Sequence, residues 1–315
     1  MRALVAERKG APAALQDRPV PSASEGEVLL DAAWSGVNYK DALAVAGRPG
    51  VLRSLPLIPG IDVAGTSVDG QALVVTGAGL GERRDGGFAQ QVVVDVATAV
   101  PVPEAFGLRG AAAIGTAGVT AALSVLALER AGIPDGPVLV TGAGGGVGGF
   151  AIALLAAAGR EVHAATGRSD VLGEHLRGLG AAAVEPRLDA EPGRPLQSAR
   201  WAAVVDSVGG GPLVNALAQT LPGGVVAACG LAASADLPGS VLPFILRGVT
   251  LTGIFSVDLA PALRIMAWDL LASRLAPDAV DRMVDREIGL SEVPGAADEV
   301  FGGRIRGRVL VDLTR

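Results

Sequence analysis

The sequence predicts an α/β protein with two parts, a small irregular β-barrel and a doubly wound parallel sheet. Two observations lead to this fold class. In residues 1–117, short alternating apolar runs are separated by turn residues, a pattern typical of a small barrel. From residue 118 onward, apolar strands alternate with helices, which predicts parallel βαβ units.

The individual elements follow from these patterns. In the first part, strands are predicted at 3–5, 27–33, 61–66, 72–75 and 88–94. Helices are predicted at 107–114 and 119–128, where the two parts meet. The second part has predicted strands at 138–141, 161–166, 181–184, 202–206, 224–229 and 249–254, and helices at 147–158, 170–178, 211–220 and 240–247. A helix at 261–275 and a strand at 308–313 are expected to return to the first part. The predicted domains are therefore 1–117 completed by 259–315, and 118–258.

Composition and charge exclude several function classes. Half of the 315 residues are hydrophobic and 18% are charged, which is enough apolar material for a large core. The net charge of −6 provides no basic surface for nucleic acid or an anionic membrane. The chain has no long uninterrupted apolar run to span a membrane. Its first residues resemble a strand and not a secretory signal, so a cytoplasmic location is expected.

Few side chains suit a metal. Cys229 is the only cysteine, which excludes an internal disulfide and a multi-thiolate zinc site. His163 lies in a predicted buried strand and His175 on a polar helix face, so structural or solvated roles are expected for both. Cys229 is expected to act as a small buried apolar residue. No metal is predicted.

A glycine-rich loop follows the first strand of the second part. Residues 138–149 read VLVTGAGGGVGG and lead into an Ala/Leu-rich helix. Strand, tight turn and helix N-terminus in this order are typical of a dinucleotide-phosphate site. The glycines allow two registers, Gly144, Gly146 and Gly149, or the spaced set Gly142, Gly145 and Gly148. A merely flexible connection is the alternative.

The residues after the next strand favour NADPH over NADH. In this fingerprint an acidic side chain near the strand end binds the ribose of NAD, whereas a basic one suits the 2′-phosphate of NADP. The sequence here contains Arg168 and no acid, and Asp170 is expected to start the next helix. Arg168 could pair with phosphate, or it could be a solvated surface residue. Arg187 is a candidate second contact.

Several motifs resemble the medium-chain dehydrogenase/reductase superfamily. More narrowly, they are similar to its zinc-free, quinone-oxidoreductase-like branch and to the NADPH-dependent acryloyl-CoA reductases within that branch. The motifs run in the expected order along nearly the whole chain. They are GVNYKDAL at 36–43, PGIDVAG at 59–65, GTAG at 115–118, TGR at 166–168, AACGLA at 227–232 and LPFILRGV at 242–249.

The resemblance implies a GroES-like catalytic domain and a Rossmann cofactor domain. It also implies hydride transfer from NADPH to the β-carbon of an activated alkene such as a 2-enoyl thioester, followed by protonation at the α-carbon. By the family pattern, cofactor contacts fall on Tyr39, Gly144, Gly145, Gly146, Val147, Thr166, Gly167, Arg168, Arg187, Leu231, Ile245 and Ser256.

Three residues of the first part are the catalytic candidates. Tyr39, the only tyrosine, could orient the nicotinamide or ribose or deliver a proton, or it could be a packing residue. Asn38 could bond to a backbone turn or to substrate. Asp41 could pair with Lys40 or cap the helix that follows it.

The sequence is compatible with more than one substrate. Arg83 and Arg84 could be surface residues or could bind the phosphates of coenzyme A, and Phe255 stands where relatives usually have an aspartate. A short 2-enoyl-CoA is the first hypothesis for the substrate. A quinone or enone is the second, and NADPH binding without turnover is the third. Strand 249–254 could pair across a two-fold axis, which predicts a homodimer.

Overall fold

The chain forms two compact units in the computed structural model, which describes residues 1–315. The first unit comprises Met1–Val119, Ser256–Met266 and Ala276–Arg315, and the second comprises Thr120–Phe255 and Ala267–Leu275. Residues 259–315 were expected to complete the first domain as one piece. In the structure the segment Ala267–Leu275 belongs to the second unit instead.

The regular elements cover most of the chain. The helices are α1 (Tyr39–Val45), α2 (Gly107–Ala131), α3 (Gly146–Ala157), α4 (Ser169–Gly178), α5 (Gly210–Ala218), α6 (Leu242–Arg247), α7 (Pro261–Arg274), α8 (Pro277–Arg282) and α9 (Val293–Phe301). The strands are β1 (Arg2–Val5), β2 (Ala14–Asp17), β3 (Glu27–Val37), β4 (Asp62–Ser67), β5 (Ala72–Thr76), β6 (Gln91–Asp95), β7 (Val100–Pro101), β8 (Val138–Val140), β9 (Val162–Thr166), β10 (Ala183–Pro186), β11 (Trp201–Asp206), β12 (Thr220–Ala228), β13 (Thr250–Gly253), β14 (Val284–Gly289) and β15 (Arg308–Asp312).

The second unit is built on a six-stranded sheet in the order β10–β9–β8–β11–β12–β13. Every neighbouring pair is parallel, so the predicted doubly wound parallel sheet is confirmed. Leu139, Val204 and Val226 on its central strands are completely buried, as expected where helices cover both faces. The strand order reverses between β8 and β11, and ligands of such sheets bind beyond the carboxyl ends of the strands at this point.

The first unit contains a mixed sheet of seven strands and a separate antiparallel pair, β1 and β2. The larger sheet runs β14–β15–β3–β4–β5–β7, and β6 also pairs with β3. The C-terminal strand β15 lies between β14 and β3, so the end of the chain returns to this unit as predicted. Leu4, Leu30, Phe88 and Val311 belong to its hydrophobic core.

Helix α2 consists of two helical segments separated by a break, in agreement with the prediction of helices at 107–114 and 119–128. The break is at Gly115, where φ is +47° and ψ is −157°, within the range Gly107–Ala131. Helix α2 is long and apolar enough to cross a bilayer by length and composition alone. However, 83% of its most apolar window is buried inside the protein, and a core helix meets the same criterion.

Several elements of the first unit were missed or displaced. The strand predicted at 88–94 is β6, which begins at Gln91. Strands β2, β7 and β14 and helices α8 and α9 were not predicted. Strand β14 has the sequence VDREIG, with charged residues at three successive positions, and α9 carries Pro294 and Gly295 near its start. Both sequences lack the apolar periodicity from which the other elements were predicted.

Candidate active site

The glycine-rich loop lies at the carboxyl end of β8, one of the two strands between which the order reverses. Helix α3 begins at Gly146, with Gly145 as its N-cap residue. The first N–H groups of a helix have no partners within the helix, and they lie at the positive end of its dipole. The loop therefore presents the donors that bind a dinucleotide pyrophosphate.

Backbone geometry separates the two glycine registers. Gly142 has φ of +59°, and a side chain there would collide with Oγ of Ser207. A Cβ atom on Gly148 would lie 2.5 Å from the carbonyl oxygen of Gly142 and 2.7 Å from Cα of Ala143. The spaced set Gly142, Gly145 and Gly148 therefore provides the turn, the N-cap and the close helix–strand contact.

Two arginines lie beside the end of β9. A Cβ atom on Gly144 would lie 3.3 Å from Nη2 of Arg168, and one on Gly167 would lie 3.0 Å from Nη2 of Arg187. The N–H of Arg168 donates a hydrogen bond of 3.2 Å to Oγ1 of Thr166. The Arg168 guanidinium thus lies next to the glycine-rich loop, and that of Arg187 lies next to the end of β9.

The remaining cofactor candidates are divided between the units. Val147 lies in the first turn of α3, and Leu231 and Ile245 are exposed side chains of the second unit. Tyr39 and Ser256 belong to the first unit. The acidic residue Asp170 lies in the first turn of α4, as predicted.

A hydrogen-bonded cluster joins the carboxyl ends of β8 and β11. Oγ1 of Thr141 donates to Oδ1 of Asp206 at 2.6 Å, and the N–H of Ser207 donates to the same Oγ1 at 3.2 Å. Oδ2 of Asp206 accepts from the N–H of Gly209 at 2.8 Å. Burial raises the pKa of Asp206, and these hydrogen bonds oppose the rise. The cluster fixes the two strand ends next to the glycine-rich loop.

Cys229 is part of the same cluster. Its Sγ lies 3.2 Å from the carbonyl oxygen of Asp206. Burial, together with the Asp206 carboxylate, raises the pKa of the Cys229 thiol to about 12. The thiol therefore stays protonated and is a poor nucleophile.

In the first unit, Asn38 and Asp41 form the start of α1. Asn38 is the N-cap residue, and Asp41 is the third residue of the helix. Oδ2 of Asp41 accepts from the backbone N–H and from Nδ2 of Asn38, both at 2.9 Å. Oδ1 of Asp41 accepts from the N–H of Ile61 at 2.8 Å. Asp41 thus supports the cap of its own helix from the third position.

Both N–H groups and the carbonyl oxygen of the Asn38 amide make hydrogen bonds inside the protein. Nδ2 also donates to Oδ2 of Asp62 at 2.8 Å, and Oδ1 accepts from Nη1 of Arg308 at 2.6 Å. An amide has two N–H donors and one carbonyl acceptor, so each is engaged. A substrate that needed an N–H donor from this amide would break one of these bonds, and the geometry favours a positioning role for Asn38.

A buried ion pair lies at the centre of this cluster. Nη2 of Arg308 is 3.1 Å from Oδ2 of Asp62, and the two side chains are 3% and 0% exposed. Nε of Arg308 donates to the carbonyl oxygen of Ala113 at 3.0 Å. A Cβ atom on Gly36 would lie 2.5 Å from Nη2, so glycine at this position makes room for the guanidinium. We call Asn38, Asp41, Asp62, Thr116 and Arg308 the polar cluster.

The break in α2 supplies the last partner of Asp62. The N–H and Oγ1 of Thr116 donate to Oδ1 of Asp62 at 2.9 and 2.5 Å. An uninterrupted helix would use this N–H for a carbonyl four residues earlier. A side chain on Gly115 would collide with Oδ2 of Asp62, so this position needs glycine for space as well as for its positive φ.

Asp41 is the strongly perturbed carboxyl group of the polar cluster. Burial raises its pKa to about 7, and the nearby Asp62 carboxylate raises it further toward that value. The hydrogen bonds from Asn38 and Ile61 lower the pKa by a smaller amount. Asp41 is completely buried, so it does not touch solvent or substrate directly.

Tyr39 differs from its neighbours because its side chain is 41% exposed. It is the first residue of α1 and directly follows the N-cap residue Asn38. Its ring packs edge-on against Phe301 with the centroids 5.8 Å apart. The hydroxyl group makes no hydrogen bond within the protein, so it is available to a ligand.

Three charged residues have partners that the sequence did not reveal. Nζ of Lys40 binds Glu82 at 2.7 Å, so of the two alternatives for Asp41 the pair with Lys40 is wrong. Arg83 pairs with Asp258 at 2.5 Å and Arg84 with Glu27 at 2.5 Å. Both arginines are therefore already neutralised, which weakens their assignment to a coenzyme A phosphate.

Sequence reasoning also missed Asp62, Thr116 and Arg308 as members of the site. The available signal was a charged residue within an apolar strand, in PGIDVAG for Asp62 and in RVLVD for Arg308. Asp and Arg are rarely fully buried unless they are paired, so each charge required a partner. The structure contains no group of three or more His, Cys, Asp or Glu side chains arranged to hold a metal ion.

Known proteins resemble the chain over nearly its whole length, although no protein-family model matches it. A probable acrylyl-CoA reductase of Escherichia coli is 46% identical over 91% of both chains. An acrylyl-CoA reductase of Ruegeria pomeroyi is 44% identical over 95% of this chain and 92% of its own. A putative quinone oxidoreductase of Bacillus subtilis is 43% identical over 91% of this chain and 90% of its own. The yhdH oxidoreductase of Salmonella enterica, solved with NADP, has a TM-score of 0.93 and 42% identity over 99% of both chains.

The chain belongs to the medium-chain dehydrogenase/reductase superfamily. Its relatives place it with the acrylyl-CoA reductases and quinone-oxidoreductase-like proteins of that superfamily, and the predicted family and fold class are confirmed. This oxidoreductase thus combines a Rossmann unit that carries the glycine-rich loop with a unit that carries Tyr39 and the polar cluster.

The raised pKa of Asp41 predicts a pH-dependent contribution to the stability of this oxidoreductase. A carboxyl group whose pKa is raised in the folded state binds more protons when the protein is folded. Its contribution to the free energy of unfolding is therefore fully present below the unfolded pKa of about 3.9. This contribution is lost as the pH rises toward the folded pKa of about 7. We expect the free energy of unfolding of the wild type, relative to that of Asp41→Asn, to fall between about pH 4 and pH 7. Urea unfolding across this range measures it. A constant difference would contradict the assignment to Asp41.

Proposed function

We propose that the chain catalyses the NADPH-dependent reduction of an activated carbon–carbon double bond, with a short 2-enoyl-CoA such as acryloyl-CoA as substrate. The similarity to two acrylyl-CoA reductases, at 44–46% identity over more than nine-tenths of each chain, carries this proposal. The chain is therefore an oxidoreductase that acts on CH–CH groups.

The second unit fits NADPH by its own geometry. A side chain on Gly148 would collide with Gly142, and one on Gly144 would collide with Leu172, so the glycines allow the loop to pack closely. The α3 N-terminus supplies donors for the pyrophosphate. We assign the 2′-phosphate to Arg168, with Arg187 as a second cation. When bound, NADPH supplies the hydride for the β-carbon of the alkene.

The protein must then control a proton and a developing negative charge. Hydride addition at the β-carbon leaves an enolate on the thioester, which needs a proton at the α-carbon and hydrogen-bond donors at the carbonyl oxygen. We assign proton delivery, or orientation of the bound groups, to the free hydroxyl of Tyr39. Asn38 and Asp41 act by fixing the first turn of α1, which carries Tyr39.

Reduction of a quinone or enone is the second candidate function. The putative quinone oxidoreductase of Bacillus subtilis is 43% identical to the chain, nearly as similar as the acrylyl-CoA reductases. The same hydride geometry would serve this acceptor. Binding of NADPH without turnover of any acceptor would instead indicate a sensor.

The assay follows NADPH oxidation by the purified protein with acryloyl-CoA, crotonyl-CoA or a benzoquinone. We expect turnover of acryloyl-CoA with NADPH. If Tyr39 delivers the proton, Tyr39→Phe lowers kcat by about 100-fold or more, the usual contribution of a general acid, and the Kd for NADPH stays nearly constant. Phe301→Leu is the matched control, because it removes the ring contact of Tyr39 and keeps the hydroxyl.

Either of two results would overturn part of this assignment. Oxidation of NADPH by the quinone alone would move the protein to the second function. A kcat of Tyr39→Phe equal to that of the wild type would reduce Tyr39 to a packing residue.

Arg168 should set the preference for NADPH over NADH. Charge-assisted hydrogen bonds contribute roughly 1.5–3 kcal/mol, so Arg168→Ala should raise the Kd for NADPH by about 10- to 100-fold. The Kd for NADH should not change, because NADH lacks the 2′-phosphate. Fluorescence titration measures the Kd of each cofactor. Arg177→Ala is the control, because Arg177 lies in the last turn of α4 and Arg168 is the N-cap residue of the same helix. Equal weakening of both cofactors would refute the assignment.

We also propose that the protein is a cytoplasmic homodimer. Strand β13 forms one edge of the parallel sheet, paired only with β12. An edge strand has unpaired N–H and C=O groups that can continue a sheet into a second copy. The cytoplasmic location is supported by the use of NADPH and by a lone cysteine that forms no disulfide.

Light scattering of the purified protein at micromolar concentration tests the dimer. We expect twice the chain mass of 31.4 kDa. A particle with the mass of one chain would exclude the dimer and leave β13 as a free edge.

A further inference from the structure

Coenzyme A carries its negative charge far from the thioester. The reacting acyl group is at one end of the pantetheine arm, and a pyrophosphate and a 3′-phosphate are at the other. The two arginines that the sequence suggested for these phosphates, Arg83 and Arg84, are paired with Asp258 and Glu27. A thioester reductase should therefore have its phosphate contacts elsewhere.

The first unit contains a cavity whose charged lining residues are all cations. Its volume is about 380 Å³, within the usual range for a small-molecule site. We call it the cationic cavity. Its lining residues are Arg8, Lys9, Gly10, Gly47, Arg48, Pro49, Gly50, Leu52, Arg53, Ser54 and Leu55.

The four cations of this cavity have no carboxylate partner. Arg8, Lys9, Arg48 and Arg53 take part in none of the ion pairs of the protein, which involve most of its other cations in the first unit. The nearby carboxylate of Glu82 is bound to Lys40. All four side chains are exposed, and they give this part of the surface a local positive charge in a protein whose net charge is −6.

Backbone hydrogen bonds hold the segments of the cavity together. Ala6 and Leu57 exchange hydrogen bonds of 2.8 and 3.0 Å, and the N–H of Ala13 donates to the carbonyl oxygen of Val45 at 2.8 Å. The N–H of Arg53 donates to the carbonyl oxygen of Glu82 at 2.8 Å. The cationic side chains therefore project from three anchored segments.

Close packing also holds two of these segments together. A side chain on Gly47 would collide with the backbone of Ala11. Gly47 has φ of +68°, which also favours glycine. The loop that carries Arg8 and Lys9 and the loop that carries Arg48 thus meet at a defined backbone contact.

An aromatic contact connects the cavity to Tyr39. Cζ of Arg48 lies 4.0 Å from the ring centroid of Phe301. Phe301 also contacts the ring of Tyr39, with 5.8 Å between centroids. Stacking on Phe301 limits the positions of the Arg48 guanidinium, so this cation and Tyr39 are both in contact with the same ring.

We propose that the cationic cavity binds the phosphate groups of coenzyme A, with Arg48 and Arg53 as principal contacts and Arg8 and Lys9 as supporting cations. Arginine forms bidentate, charge-assisted hydrogen bonds with phosphate. This inference rests on the proposed function, because it requires a coenzyme A thioester as substrate. It assigns substrate binding to residues that take no part in hydride or proton transfer.

The test compares two thioesters, acryloyl-CoA and S-acryloyl-N-acetylcysteamine, which has the same reacting group and no phosphate. For the double variant Arg48→Gln/Arg53→Gln, we expect KM for acryloyl-CoA to rise about tenfold, the result of losing ~1.4 kcal/mol of binding. We expect an unchanged kcat and no effect on the truncated thioester. Arg2→Gln/Arg194→Gln is the control, because it removes two exposed positive charges outside the cavity.

A direct measurement accompanies the kinetics. Calorimetric titration of the NADP-saturated protein with adenosine 3′,5′-bisphosphate should detect binding to the wild type and to the control variant, and none to the double variant. Saturation with NADP prevents this probe from occupying the cofactor site. Raising the salt concentration should increase KM for acryloyl-CoA in the wild type and have less effect in the double variant.

The outcomes separate this inference from the proposed function. Turnover of both thioesters with the same KM for acryloyl-CoA in the wild type and the double variant would overturn the cationic cavity alone. An equal rise of KM for both thioesters would indicate a structural effect and would also overturn it. Oxidation of NADPH by a quinone, with no turnover of either thioester, would overturn the proposed function and the cavity assignment together.

Discussion

The buried ion pair of Asp62 and Arg308 is the interaction on which the first unit depends. It joins residues 246 positions apart in the sequence. Removing one partner of such a pair leaves an uncompensated buried charge, which typically costs 3–5 kcal/mol. Gly36 and Gly115 leave space on either side of it. The ion pair therefore explains a helix break and a glycine that local sequence preferences do not.

Electrostatic balance within the polar cluster assigns different roles to neighbouring residues. The guanidinium of Arg308 pairs with the buried carboxylate of Asp62, whereas the second buried carboxyl group, that of Asp41, has a raised pKa. Asn38 contacts both carboxyl groups and the guanidinium, so its amide orders the cluster. Tyr39, the next residue in the chain, is 41% exposed, and its hydroxyl group makes none of these hydrogen bonds. The motif GVNYKDAL contains Asn38, Tyr39 and Asp41 side by side. The structure shows that Tyr39 is exposed, whereas Asp41 is buried.

The sequence was sufficient for the second unit and insufficient for the polar cluster, for a physical reason. Parallel strands covered on both faces are continuous apolar segments, and the glycine-rich loop is local, so both leave a readable pattern. The partners of Asp62, namely Asn38, Thr116 and Arg308, come from three distant parts of the chain. A local sequence pattern cannot predict such long-range pairing. The same limit applies to Lys40, whose true partner Glu82 is 42 positions away. Strand β14 was missed because charged residues interrupt its apolar pattern.

The position of Arg308 in the last strand has a consequence for the order of folding during synthesis. The second unit is complete in sequence at Leu275, well before β15 is made. Until Arg308 leaves the ribosome, the Asp62 carboxylate cannot form its buried ion pair, and β3 lacks its neighbour β15. The Rossmann unit can thus form first on the nascent chain, whereas the unit that begins at the N-terminus is the last to be finished.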